Sequence, residues 1–159
     1  MLAFGRALET QVRLVTDDLF ATLEGIPDDV FNTWKPAAAN DDAHAMNTFA
    51  AITTHALGAA HFMTLVAVGG EPDTRDREAE FEATGTVAGL RTRYDAWLDA
   101  LHTMLVGLTE DDLNRETHAE RMNARGWKVA ESLLHVLDHT ALHVGHLQVQ
   151  RQLWETERG

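Results

Sequence analysis

Residues 133–146 read Leu-Leu-His-Val-Leu-Asp-His-Thr-Ala-Leu-His-Val-Gly-His. Apolar residues recur there every three or four positions, which indicates an α-helix rather than a strand. On a helical wheel the four histidines fall within about 80° of one another and form one stripe along the helix. Apolar side chains share or flank this stripe, namely Val136, Leu142, Leu147, Val149, Leu153 and Trp154. We therefore expect the histidines to point into the protein interior, where an unpartnered imidazole costs free energy.

Three other segments repeat apolar residues at the same spacing, and all three prolines lie between the segments. No strand-like alternation of useful length appears, so we predict an all-α protein. The first expected helix spans residues 3–24. The second starts between Asp42 and Asn47 and ends at the Gly69-Gly70 pair. The third spans 86–106, and the fourth runs from near Trp127 almost to the C-terminus. Four helices of this length pack naturally as a four-helix bundle. Residues 1–159 suit a single domain.

Two long connectors interrupt this pattern, one before the second helix and one at 108–126. Both exceed the connections of a minimal up-and-down bundle. We expect them to cap one end of the bundle and to shape an opening there. Arg121 and Arg125 lie in the later connector, where they either hold a substrate carboxylate or remain solvent-exposed charges. The charged stretch 71–78 is expected to be a solvated surface loop.

The composition restricts the class of protein. Thirteen Lys and Arg against 25 Asp and Glu give a net charge of −12, which argues against a nucleic-acid partner because it repels a phosphate backbone. No window approaches the ~20 uninterrupted apolar residues of a membrane span, and the N-terminus lacks the pattern of a signal peptide. The absence of cysteine excludes disulfides, thiolate metal sites and cysteine nucleophiles, and it favours a cytoplasmic location.

Histidine is therefore the main candidate for binding a metal. His139 and His143 stand one helical turn apart, close enough to share one ion. His55 falls on the apolar face of the second helix, so it faces the core as well. As the third imidazole, from a facing helix, it completes a three-histidine site with positions left open for water or substrate. The alternative is a set of core histidines that carboxylates, hydroxyls and water satisfy.

Other polar residues carry less information. No functional role is assigned to the histidines outside these two helix faces, His44, His61, His102 and His118. Glu131 either orients His135, acts as a base or is an ordinary surface residue, and Asp138 is the other acid near the stripe. The helices carry no His-Glu-x-x-His sequence and no pair of Glu-x-x-His motifs, which argues against zincin and ferritin-like di-iron sites.

The chain resembles the DinB/YfiT-like family in its helix order, in its mid-helix His55 and in the stretch 133–146. The segments Trp34-Lys35-Pro36 and Met46-Asn47-Thr48 add to the resemblance, which covers nearly the whole chain. The resemblance implies a four-helix bundle, often a homodimer, that binds a divalent metal through three histidines, here His55, His139 and His143. It also implies a transferase or isomerase that uses a low-molecular-weight thiol, or a metal-dependent hydrolase, although many relatives have no known activity.

The chain departs from the common family pattern at His146, where many relatives have glutamine. His146 is either a fourth ligand or a residue that hydrogen-bonds a ligand or carries a proton. We favour the second role because its backbone lies about 4.5 Å further along the helix axis than that of His143. Zinc or nickel is the expected ion, with iron and manganese as further candidates. A non-catalytic metal- or ligand-binding stress-response protein is the alternative to an enzyme.

The fourth helix also carries apolar residues away from the histidine stripe, namely Leu133, Leu134, Leu137 and Val144. A helix that is apolar over most of its circumference is buried on most sides. Either the other helices of the chain or a second copy of the chain covers this second face. The family resemblance favours a homodimer.

Overall fold

The computed structural model describes residues 1–36 and 47–158. The bundle is built from four long helices, α1 (Ala3–Leu23), α3 (Phe49–His61), α5 (Val87–Gly107) and α8 (Val129–Glu157). Four short helices lie between them, α2 (Asp28–Thr33), α4 (Arg77–Phe81), α6 (Glu110–Leu113) and α7 (Glu120–Asn123). The described residues contain no named strand, so the all-α prediction is confirmed.

Each long helix packs against two others. α1 contacts α5 and α8, and α3 contacts the same two helices from the other side. The apolar residues that meet between them form one core cluster, which includes Leu19, Phe49, Tyr94 and Leu133. This order places α3 directly beside α8, so the two helices that carry the candidate metal ligands are neighbours.

The ends of the second bundle helix are set by local signals. Thr48 caps α3, because its hydroxyl oxygen accepts a hydrogen bond of 3.1 Å from the backbone N–H of Ala51. The helix therefore begins just after the predicted window, whose residues 42–46 lie outside the described part of the chain. α3 continues into a π-helical turn, Phe62–Val66. The chain then turns at Gly70, whose φ of 78° favours glycine.

Buried polar side chains fix α3 and the π-helical turn against their neighbours. The Trp97 indole N–H donates to the Thr64 hydroxyl at 3.0 Å. From the other side, the Ser132 hydroxyl of α8 donates to the Met63 carbonyl at 2.8 Å. Hydrogen bonds between buried groups are costly to break, so the helix that carries His55 has a defined position relative to α5 and α8.

One stretch of the described chain, Phe49–Val66, is long and apolar enough to cross a membrane by length and composition, with a mean hydropathy of 1.3. It is 83% buried inside the bundle. Such burial is typical of a core helix, because the apolar surface that lipid would cover is already covered by protein.

The connectors contain more structure than predicted. The stretch 71–78 is a solvated surface segment as predicted, in which only Arg75 is partly buried, and its last two residues begin α4. The later connector forms α6 and α7, and part of it lines an opening next to His55 and His139. The earlier connector forms α2, and its residues 37–46 lie outside the described ranges.

The buried face of α8 differs from the predicted one. Its fully buried residues include Leu133, Val136, Thr140 and Leu147, so the histidine stripe lies at the edge of the buried face rather than at its centre. The expectation that the whole stripe points inward is wrong for His146, which is exposed. Apolar residues that the wheel placed beside the stripe are exposed as well, namely Leu142, Val149 and Leu153. Because α8 is apolar on several sides, its sequence does not show which side packs.

The second apolar face of α8 is covered by the chain itself. Leu133 is fully buried and Val144 is 6% exposed, while Leu137 packs partly buried against the core. Of this set only Leu134 is exposed. These residues therefore give no support to a homodimer, and the alternative, coverage by neighbouring helices, holds for them.

Candidate metal centre

His55 projects from the middle of α3 into a buried position. It is 7% exposed, and its ring stacks on that of Phe81 with 4.8 Å between centroids. The rings of His139 and His143 on α8 lie 5.5 and 5.0 Å from it. The facing of α3 and α8 thus brings together the three residues that the sequence pattern singled out.

His139 and His143 lie one turn apart on α8 with their Nε2 atoms 3.3 Å from each other. One candidate ligand atom from each of the three histidines lies within 4.8 Å of the other two. This group of donors is compact enough to surround a single ion.

The local environment keeps these imidazoles neutral at physiological pH. Burial, followed by the charges of neighbouring imidazoles, lowers the pKa of His139 to about 4 and that of His143 to about 3. Burial also lowers the pKa of His55, although the adjacent Glu80 carboxylate acts in the opposite direction. A neutral imidazole has a free nitrogen lone pair, which is the form that binds a metal.

The donor set fits a divalent metal. Two nitrogens bound to one tetrahedral zinc at 2.0–2.1 Å are about 3.3 Å apart, which matches the separation of the His139 and His143 Nε2 atoms. The Nδ1 atoms of both residues are buried and have no hydrogen-bond partner in the described chain. Coordination through Nε2 leaves these two N–H groups without a partner, at a cost in free energy, so the fit rests on the separation of the Nε2 atoms.

Glu80 supports His55 from outside the bundle core. Its Oε2 atom accepts a hydrogen bond of 3.0 Å from His55 Nδ1, which leaves Nε2 as the free nitrogen. Arg75 holds the same carboxylate through two bonds of 2.6 Å, from Nε to Oε1 and from Nη2 to Oε2. A carboxylate behind a ligating histidine fixes its tautomer and its orientation.

Sequence reasoning missed Glu80 and Arg75, although one signal for them exists. Gly58 lies three residues after His55, on the same face of α3, and a Cβ there would overlap the Glu80 carboxylate. Glycine inside a helix costs about 1 kcal/mol relative to alanine, so Gly58 is a weak signal for a closely approaching group, since Gly145 beside His143 has no atom near its position.

Other residues near the stripe have structural partners. Glu131 is exposed, and its carboxylate accepts a hydrogen bond of 2.9 Å from the backbone N–H of Lys128 at the start of α8. It therefore neither orients His135 nor faces the histidine group. His135 instead packs against Trp127 and lies 3.5 Å from the exposed carboxylate of Asp138.

The remaining histidines are not part of the three-histidine group. His146 is exposed, and its ring lies 5.4 Å from that of His143. His61 and His102 pair near the surface with Glu71 and Glu9. His118 is exposed, and His44 lies outside the described residues.

A cavity of about 270 Å³ opens onto the site. His55, His139 and His135 line it from the bundle, and Arg121 and Arg125 line it from the later connector. A larger cavity of about 610 Å³ lies beyond the Arg75–Glu80 pair, and its described lining does not include the three histidines. We therefore consider the smaller cavity as the route by which a ligand reaches the site.

Comparison with known proteins gives the family. No curated protein matches the chain significantly. A family model described as the DinB superfamily matches residues 11–147, a range that includes His55, His139 and His143. Because this match covers well over half of the sequence, the chain belongs to the DinB superfamily.

Proposed function

We propose that this protein is a metal-dependent enzyme that holds one divalent ion through His55, His139 and His143. The observation that carries the proposal is the group of three donor atoms within 4.8 Å of one another. Three neutral ligands leave the double charge of an ion uncompensated, and an ion bound there supplies Lewis acidity that lowers the pKa of a water or thiol. The chain's own part is to hold the ligands, with Glu80 and Arg75 orienting His55.

Two reaction classes suit such a site, a thiol-dependent transfer or isomerisation and a hydrolysis. The chain contains no cysteine, so in the first class the thiol comes from a low-molecular-weight cosubstrate. The open cavity beside His55 and His139 admits a small molecule to the site in either class.

A second candidate is a non-catalytic metal- or ligand-binding stress-response protein. The observation that favours it is that the acidic residues near the three histidines are either bound to other groups or exposed. Glu80 is bound by Arg75 and His55, Glu131 caps α8, and Asp138 is exposed. The described lining of the cavity contains no carboxylate, so no acidic side chain there is placed to act as a general acid or base.

Metal content tests the site directly. Purified protein loaded with zinc or nickel and then desalted should retain about one ion per chain by elemental analysis, because imidazole suits both ions. The His55→Ala/His139→Ala double variant should retain almost none. His102→Gln is the matched control, since it removes an exposed imidazole of α5 and should keep its metal. His146→Gln should also keep it, because we expect His146 not to be a fourth ligand. Equal occupancy in the double variant would reject the site.

Turnover separates the two candidate functions. Metal-loaded protein is assayed with a panel of small thiols plus electrophiles and with a panel of esters. Conversion that disappears in His139→Ala supports the enzyme, whereas full metal occupancy without conversion on either panel supports the binding protein.

We also propose a homodimer in the cytoplasm as the working form. The resemblance to the DinB/YfiT-like family implies the assembly, α8 exposes the apolar residues Leu142, Val149 and Leu153, and the lack of cysteine is typical of a reducing compartment. The strongly acidic net charge of −12 argues against nucleic acid as a partner.

A further inference from the structure

The cavity beside the three histidines concentrates positive charge in an otherwise acidic chain. Four guanidinium groups line it, those of Arg75, Arg77, Arg121 and Arg125. The described lining contains no aspartate or glutamate, although the chain as a whole carries a net charge of −12. The cavity therefore reverses the sign of the protein's charge at the entrance to the site.

These arginines come from two separate segments of the chain. Arg75 and Arg77 lie just before and at the start of α4, and Arg121 and Arg125 lie in and just after α7. Arg77, Arg121 and Arg125 are solvent-exposed, so water and salt screen most of their mutual repulsion, and their N–H groups are accessible to a ligand.

Arg75 is already paired, since it binds the Glu80 carboxylate through two hydrogen bonds. Within the described ranges the other three arginines have no carboxylate partner, and each lies over an aromatic ring. Arg121 lies 3.3 Å from the centroid of the Phe62 ring. The corresponding distances for Arg77 and Arg125, to the rings of Phe81 and Trp127, are 5.2 Å each.

Several neighbouring charges act on Arg121. Burial and the charge of Arg75 lower the pKa of its guanidinium, the Asp73 carboxylate raises it, and the charges of Arg125 and Arg77 lower it further. A guanidinium stacked on an aromatic face keeps its N–H groups in its own plane, parallel to the ring, where they are free to donate.

We propose that Arg77, Arg121 and Arg125 form a subsite for the oxyanion of a small substrate or cosubstrate, a carboxylate or a phosphate. Paired guanidinium N–H groups match the oxygen spacing of both anions. The volume of about 270 Å³ limits the ligand to a small metabolite. The position of the reacting end at the three histidines rests on the proposed function, whereas the anion subsite itself does not.

Calorimetric titration of the full-length protein tests the subsite. Metal-free and zinc-loaded protein are each titrated with succinate and with inorganic phosphate at neutral pH. We expect one binding event per chain in both forms, and the anion with the higher affinity shows whether carboxylate or phosphate is preferred. Arg121→Gln/Arg125→Gln should lose at least ~10-fold in affinity, because hydrogen bonds between a guanidinium and an anion are stronger than those between neutral groups.

The matched control is Arg158→Gln. Arg158 also lies over an aromatic ring, 4.5 Å from the centroid of Trp154, but it does not line the cavity. This variant should bind the anions as wild type does. Arg77→Gln gives an independent second variant that should also weaken binding, and circular dichroism checks that each variant is folded.

Two results would overturn the subsite, namely no binding of either anion by wild type, or wild-type affinity in the Arg121→Gln/Arg125→Gln variant. The metal site fails separately. Anion binding that persists in a wild-type protein unable to retain zinc would support the subsite and reject the proposed function. Zinc retention without anion binding would reject the subsite and leave the metal site of the proposed function supported.

Discussion

The carboxylate of Glu80 accepts hydrogen bonds from His55 and Arg75 while only 7% of the residue is exposed. Glu80→Gln keeps its size but removes the charge that holds both partners. Loss of such support behind a ligand typically costs 10–100-fold in metal affinity, so we expect zinc affinity to fall by at least ~10-fold. Competition with a chromophoric chelator measures it.

Glu71→Gln is the control for this change. Glu71 also pairs with a histidine, His61, at 3.3 Å, but both side chains are close to half-exposed. Exposed pairs contribute little, so zinc affinity should equal that of wild type. Wild-type affinity in Glu80→Gln would show that His55 needs no carboxylate behind it.

Gly58 is a second residue whose identity the site requires. In Gly58→Ala the new Cβ would overlap the Glu80 carboxylate, which can swing away because it is the end of a flexible side chain. We expect the bundle to remain folded while zinc affinity falls. Gly145→Ala, on α8, is the matched change, because no atom lies within 4 Å of its added Cβ.

The two glycine variants should therefore differ in zinc affinity, which falls only in Gly58→Ala. Gly145→Ala should raise the free energy of unfolding by about 0.5–1 kcal/mol through helix propensity alone and leave zinc affinity unchanged. Urea denaturation and the chelator assay measure the two quantities. Unchanged zinc affinity in Gly58→Ala would contradict the role assigned to Glu80.

At the scale of the helix, α8 carries two neighbouring imidazoles whose pKa values are lowered in the folded chain, to about 4 for His139 and about 3 for His143. In the unfolded chain their pKa returns to about 6.5. As the pH falls below about 6.5, these two imidazoles therefore bind protons in the unfolded state while they stay neutral in the folded state. The free energy of unfolding then decreases with falling pH.

We accordingly expect metal-free protein to lose stability progressively as the pH is lowered from about 6.5 toward 4. Urea denaturation across this range measures the slope. A His139→Gln/His143→Gln variant lacks the two groups and should show a shallower slope, with His102→Gln, which removes an exposed histidine, as the control. Identical slopes in wild type and the double variant would contradict the burial assigned to the pair.

At the scale of the whole molecule, α8 exposes an apolar stripe formed by Leu142, Val149 and Leu153, which are 55%, 54% and 40% exposed. These residues replace Leu133 and Val144 as the surface for the proposed homodimer, since the latter are buried within the chain. Each copy carries a net charge of −12, so salt should strengthen the association by screening the repulsion.

Light scattering at micromolar concentration should report twice the chain mass of 17.6 kDa. Leu142→Glu/Val149→Glu should convert the protein to a monomer, because it places charge in the apolar contact. Val106→Glu alters an equally exposed apolar residue, 50% exposed, on α5, and it should remain dimeric. A monomeric wild-type protein would reject the dimer. A double variant that remains dimeric would show that the dimer interface does not include Leu142 and Val149.

Local patterns along the chain were sufficient for much of this structure. The period of apolar residues predicts the four long helices because it repeats within each helix and needs no partner. The four-residue spacing of His139 and His143 likewise places their side chains together through helix geometry alone. His55 could be added to them from the apolar face on which it lies, together with the family resemblance.

Tertiary structure decided the remaining features because they depend on contacts between distant segments. Glu80 follows His55 by 25 residues and lies in a helix of five residues, which is too short to show a periodic signal. Arg77 and Arg121 face one cavity only because the segment between α3 and α5 meets the connector at 108–126 there. Tertiary contacts also decided which side of α8 is buried. The helix has apolar residues on several faces, and the neighbouring helices determine which of those faces they cover.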